Sequence, residues 1–139
     1  MTSDAVQEWI AHDPDPGAAA ELEACSADEI ADRFSQSLTF GTAGLRGPLR
    51  AGPNGMNLVV VVRATWAVAQ VLNARGLGGA GVVVGYDARH RSAEFGRAAA
   101  EVLAAQGFSV TLMAAPVPTP AVAHAVKNTG AAINVTEKP

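Results

Sequence analysis

Cysteine is nearly missing from this chain: Cys25 stands alone among 139 residues, which excludes an intrachain disulfide and a cysteine-built zinc cluster. A lone thiol of this kind is expected to be buried and inert. Aromatic residues amount to only 5%, so the apolar interior must be assembled from Ala and Val, each contributing less transfer free energy than Leu or Phe. Long apolar runs are lacking too. "LVVVV" at residues 58–62 is stopped by Arg63 and is too short to span a bilayer, so no membrane partner is expected. There is no excess of basic charge: the formal net charge is -3 and the pI about 5.5, against a nucleic-acid partner. The N-terminus carries Asp4 and Glu8 rather than a basic segment followed by an apolar one, so no secretory signal is read and a cytoplasmic location is the expectation. His12 and His124 have no carboxylate or second His at ligand spacing and His90 is expected to be exposed; metal binding by this chain alone is not expected.

What the chain does contain is 49% hydrophobic and 17% charged residues, the balance of a folded protein of one-domain size. Residues 1–36 read as a helical extension and residues 37–139 as an α/β domain. Val6, Trp9 and Ile10 form one apolar stripe before "HDPDPG" breaks the chain. Helix resumes over residues 18–34, and the capping-box spacing of Ser26 and Glu29 predicts a restart there, presenting Ile30 and Phe34. The glycine-rich "SLTFGTAGLRGPLRAGPNGMN" is interleaved with Leu38, Phe40, Leu45 and Leu49, which suits a tight hairpin better than a linker. Asn57 is placed to cap a helix to about Arg75, with Val61, Val68 and Leu72 on one face and Gly76 as its stop.

From residue 81 the pattern is β-α-β-α-β. "GVVVGYD" is a buried strand, Ser92 an N-cap for a helix stopped by Gly107, and "FSVTLM" a strand; Thr119 caps a helix opened by Pro120, and "AAINVT" is the last strand. This order predicts a three-layer α/β/α domain whose mixed, mostly parallel sheet has about four strands, with right-handed crossovers.

Two stretches can carry chemistry. The "GLGGAG" string at residues 76–81 follows a helix and precedes a strand, the reverse of a dinucleotide fingerprint, and reads as a loop. "GYDARHRS" at residues 85–92 lies where a parallel strand gives way to a helix, the side on which open α/β sheets bind ligands. There Asp87 with Arg89 and Arg91 either holds the turn as an ion pair or presents a guanidinium to an anion. "FGTAGLRG" at residues 40–47 is the most specific: its glycines allow sharp turns and close approach, and Arg46 is the one charge among them. On the residues alone it is either an ordinary glycine hairpin with a solvated Arg or a phosphate- or carboxylate-recognising loop.

"FGTAGLRG" with "GMN", then "VVVGYDARHRS", then "PVPTPAVAHAV", in this order over residues 38–136, closely resembles the N-terminal domain of the phosphoglucomutase/phosphomannomutase family, the α-D-phosphohexomutases. The helical preface with Trp9 resembles the branch holding phosphomannomutase-like and phosphopentomutase-like enzymes. The resemblance implies a four-domain isomerase of carbohydrate metabolism, this chain supplying the first domain. In it a phosphoserine passes its phosphate to a sugar phosphate, and the resulting bisphosphate reorients and returns the other, with Mg²⁺ screening charge in the complete enzyme. It further implies that Arg46 binds substrate phosphate, while Gly41, Thr42, Gly44, Gly47, Asp87 and Arg89 shape the surrounding loops. Where the family reads "TASHNP" this chain reads "VTEKP": Thr136 lies beside the expected phosphoserine, but neither Ser nor His follows, and Glu137 and Lys138 cannot replace them. No catalytic residue is therefore assigned, and the chain is expected to be a truncated or altered domain, inactive alone and self-associating through the surface where other domains would dock. The alternative is a non-catalytic module that binds a phosphosugar or a partner chain.

Overall fold

The computed structural model describes residues 3–42, 44–128 and 130–135. It divides into two compact units, residues 1–60 and residues 61–139, described in turn.

In the first unit, α1 (Asp4–His12), α2 (Ala18–Glu23) and α3 (Ala27–Phe34) precede two short strands, β1 (Phe40–Gly41) and β2 (Gly44–Leu45). The apolar stripe of α1 is buried as expected: Val6, Trp9, Ala18, Leu22 and Ala51 form a core, with Ile10, Ile30, Phe34, Val59 and Val60 against it. Trp9 and Phe34 meet edge to face at 6.0 Å, and the Trp9 indole N–H donates to Asp13 at 2.7 Å. The helix restarts at Ser26 with both capping-box bonds made, Glu29 N–H to Ser26 Oγ and Ser26 N–H to Glu29 Oε2. Cys25 departs from expectation. It is half-buried, because it occupies the break between α2 and α3, and its thiol donates to the Glu21 carbonyl at 3.2 Å.

The Glu29 carboxylate is held below its ordinary pKa by the Ser26 backbone N–H first and the Ser26 hydroxyl second. A depressed carboxylate stabilises the fold above its unfolded pKa, and that contribution disappears as pH falls through the folded value. Acid titration followed by the Ser26 and Glu29 amide signals should therefore show the start of α3 loosening below the usual Glu range. In Glu29→Gln this acid step should vanish; its survival would contradict the assignment.

Beyond the hairpin the chain is pinned to the helices. Arg50 sends Nε and Nη2 to the Asn54 carbonyl at 3.0 and 2.9 Å, and its Nη1 pairs with Asp32 at 2.8 Å. Glu21 accepts both the Arg33 guanidinium at 2.5 Å and the Ala51 N–H at 3.1 Å. Asn57 caps α4 (Leu58–Ala74) as its position predicts, its Oδ1 accepting the Val60 N–H at 3.1 Å.

In the second unit α4 continues to Ala74, just before Gly76, and buries Val61, Thr65 and Ala69, with Val68 and Leu72 only half-buried. Then come β3 (Gly81–Tyr86), α5 (Ser92–Ala105), β4 (Ser109–Leu112), α6 (Thr119–Ala125) and, after a 3₁₀ turn, β5 (Gly130–Val135). The strand order is β4-β3-β5, and both pairings are parallel. Among the described residues this sheet has three strands rather than about four, and it is not mixed. The antiparallel pairing belongs to β1 and β2, whose two residues each are too few to extend a sheet.

Central β3 buries Val82, Val83 and Val84 completely or nearly so, worth about 1.5–3 kcal/mol each as an upper estimate. Its last two residues point to opposite faces: Gly85 lies against Val122 of α6, and Tyr86 against Gly96 of α5. The two helices therefore cover opposite faces. This follows from the strand order, since connections of one hand that run across the sheet in opposite directions, β3 to β4 and then β4 to β5, must pass on opposite sides. The helical order and the three-layer α/β/α design agree with the sequence reading.

Candidate functional site at the carboxyl ends of the strands

Strand order reverses between β3 and β5: the chain goes outward from β3 to β4, then returns to lie on the other side of β3. At such a reversal the loops beyond the carboxyl ends diverge and open a crevice. Here that end comprises the loop after Tyr86 and Val135 at the end of β5, joined by the Asp87 N–H donating to the Val135 carbonyl at 3.1 Å. Thr136, Glu137, Lys138 and Pro139, to which the sequence reading of the tail applies, lie outside the described residues.

Asp87 organises the loop. Its Oδ1 accepts the Ser92 hydroxyl at 2.7 Å and the Arg89 N–H at 3.1 Å, while Oδ2 stands 3.5 Å from Arg89 Nε. Ser92 does not cap α5 as expected. It is the first helical residue, fully buried, and its hydroxyl is turned to Asp87; Arg91 takes the cap position with φ +63°. Arg91 in turn forks onto Glu94 at 2.9 and 3.1 Å and lies 5.1 Å over the Phe95 ring. His90 is exposed.

On the opposite face Asn134 of β5 donates Nδ2 to Thr119 Oγ1 at 2.7 Å, and its Oδ1 is buried with no partner among the described residues. Thr119 thus does not cap α6 through its side chain; Pro118 precedes the helix and the hydroxyl is occupied by Asn134. The sequence reading passed over Asn134, although a carboxamide inside the apolar "AAINV" is a visible signal. The hold of Glu94 and Phe95 on Arg91 was missed as well; an Arg and a Glu three residues apart across a helix start is its only local sign.

In the first unit the glycine segment is a hairpin, with Phe40 opposite Leu45 and Gly41 opposite Gly44. Thr42 opens its turn and is exposed. Gly44 has φ +93°, a conformation that L side chains rarely adopt. A side chain at Gly47 would run into Leu38. Arg46 is exposed and, among the described residues, has neither hydrogen-bond nor ion-pair partner. A guanidinium so presented is available to an anion. No three His, Cys, Asp or Glu side chains gather into a possible metal cluster among the described residues. No helix among these residues is long and apolar enough to cross a membrane.

Residues 37–136 match the family model for phosphoglucomutase/phosphomannomutase, alpha/beta/alpha domain I. The chain belongs to this family. It is 34% identical over 139 residues to a phosphoribomutase of Saccharomyces cerevisiae, covering 95% of the chain and 22% of that protein. It is 35% identical over 130 residues to a phosphoglucomutase of Staphylococcus aureus, covering 92% of the chain and 23% of that protein. The chain thus spans less than a quarter of these curated relatives' length. No solved structure was found to match it. As a phosphohexomutase-family domain I, it carries both the Arg46 hairpin and the Asp87 loop within the matched region.

Proposed function

We propose that this chain acts as the first domain of a phosphohexomutase, an isomerase that interconverts sugar 1- and 6-phosphates through a phosphoserine and a bisphosphate intermediate. The single observation that supports the reading is the reversal of strand order beside Asp87 and Val135: open α/β sheets bind ligands at such a reversal, and in sequence β5 leads into the stretch that resembles the family's phosphoserine motif. The names of the relatives, phosphoribomutase and phosphoglucomutase, point to phosphorylated sugars as the substrate class.

In this reading Arg46 binds phosphate electrostatically and supplies no covalent chemistry. Its fork can hold two oxygens of a phosphate monoester at once. The Asp87 network keeps the strand-end loop in one conformation, limiting the ordering cost when ligand binds. Residues 136–139 read T-E-K-P, without the serine of the family motif, so this reading assigns the phosphoryl carrier to none of them and phosphoryl transfer to the complete enzyme. The same feature favours a second reading, a module that binds phosphosugars without turning them over.

The test is titration of glucose 1-phosphate into the purified 139-residue chain, with a coupled assay in the presence of Mg²⁺ and a hexose bisphosphate. Expected are weak saturable binding, at least tenfold weaker binding in Arg46→Gln, and no turnover. Robust turnover would overturn the assignment of the chemistry to residues beyond these. Absence of binding would overturn the phosphosugar reading.

A further inference from the structure

The loop between β3 and α5 carries two guanidinium groups, and their surroundings differ. Arg91 is committed within the domain: Nε and Nη2 bond Glu94 at 2.9 and 3.1 Å, the group lies 5.1 Å over Phe95, and the side chain is 21% exposed. Arg89 is 47% exposed, and among the described residues it pairs with one carboxylate, Nε to Asp87 Oδ2 at 3.5 Å.

Asp87 does not depend on that long contact for its position. Its other oxygen is fixed by the Ser92 hydroxyl and the Arg89 N–H, its own N–H is tied to Val135, and its side chain is 19% exposed. The arrangement is therefore asymmetric: an anchored carboxylate steadies one edge of an exposed cation by its Nε. The two terminal nitrogens of Arg89 have no hydrogen-bond partner among the described residues. A guanidinium held at Nε keeps its outer edge of N–H donors, the edge that matches two oxygens of a phosphate monoester. This edge stands at the carboxyl ends of β3 and β5, where the strand order reverses.

We propose that Arg89 is a phosphate-contacting residue, a cation on the strand-end loop that takes the phosphate monoester of a sugar phosphate, with Asp87 as its positioning partner. Arg91, despite lying two residues away, has a structural role. The inference rests on the phosphosugar reading above but assigns a contact that Arg46 does not supply. A lysine at this position would preserve the pairing with Asp87 and lose the two-pronged contact. A residue that only held the turn would be replaced by lysine without loss.

The experiment is a titration of the isotope-labelled chain with glucose 6-phosphate, and with glucose as the control, followed by the amide signals and the Arg89 Nε–H signal. Wild type, Arg89→Gln, Arg89→Lys and Arg46→Gln are compared, each first shown to keep the wild-type spectrum away from its own loop. Expected are saturable shifts in residues 87–92 with the phosphate ester and none with glucose, Kd raised at least tenfold in Arg89→Gln, and incomplete recovery in Arg89→Lys. Wild-type affinity in either Arg89 variant overturns the proposal. A response confined to the hairpin, lost in Arg46→Gln, overturns it while leaving the phosphosugar reading intact. No response anywhere in wild type overturns both.

Discussion

Asn57→Asp should be among the most destabilising single substitutions available in this chain, lowering the unfolding free energy by about 3–5 kcal/mol at neutral pH. Asn57 is 3% exposed, and its amide works in two directions. Oδ1 caps α4 through the Val60 N–H, while Nδ2 donates to the carbonyls of Arg50 and Gly52 at 2.9 and 2.8 Å and approaches that of Gly55 at 3.4 Å. A carboxylate would keep the capping acceptor but turn its second oxygen toward those carbonyls, with no proton to offer and a charge to desolvate. Asn57→Ala should cost less, about 2–3 kcal/mol, because it loses the cap and leaves carbonyls unpaired without burying a charge. The ordering also has a pH signature. In the folded state the new carboxyl would titrate above its unfolded value of about 3.9, so its penalty should be full at neutral pH and diminish as pH falls toward that value. Urea unfolding of the three proteins at pH 7 and pH 4.5 checks both claims; equal stability of Asn57→Asp and Asn57→Ala at pH 7 would show that the donor role is unimportant.

Asn57 also shows which parts of this fold are legible in sequence. Its capping role follows from position, as does the Ser26–Glu29 capping box, because each is settled within one helical turn. The β-α-β-α-β order was readable for a similar reason, each apolar run being bounded by its own Gly or Pro. Its donations to the Arg50–Gly55 loop were not readable, since nothing local says where a loop will fold back. The candidate site divides in the same way. "GYDARHRS" locates a strand-end loop and offers Asp87 and two arginines, but its composition does not tell which arginine is committed. That depends on Glu94 and Phe95 in the next turn and on the positive φ of Arg91, which frees Ser92 from capping and gives its hydroxyl to Asp87. Strand order is likewise a long-range outcome: "AAINVT" reads as a strand, yet only its pairing with β3 places Val135 beside Asp87. The half-burial of Cys25 departs from its type's usual preference because a helix break happens to fall there.

Gly85→Ala should cost about 2–3 kcal/mol, and the loss should be largely recovered in the double variant Gly85→Ala/Val122→Ala. A Cβ at Gly85 would overlap Val122 Cγ2 and stand 3.4 Å from Val117 Cγ2. Val122 cannot yield easily: it is 2% exposed on α6, and a β-branched side chain in a helix has essentially one rotamer. The clash must therefore move the helix or the end of β3. Val122→Ala alone should be destabilising, because it opens a cavity, so two individually harmful changes should offset each other in a double-mutant cycle. The positional consequence matters as much as the stability. Gly85 immediately precedes Tyr86 and Asp87, and Tyr86 receives the Val117 N–H at 2.9 Å. Pushing α6 away from β3 would thus disturb the loop that holds Asp87 and Arg89, and phosphate-ester binding should weaken in Gly85→Ala and return in the double variant. Thermal unfolding paired with the glucose 6-phosphate titration measures both. Additive losses in stability would refute the steric account, and restored stability without restored binding would separate the packing of α6 from the shape of the loop.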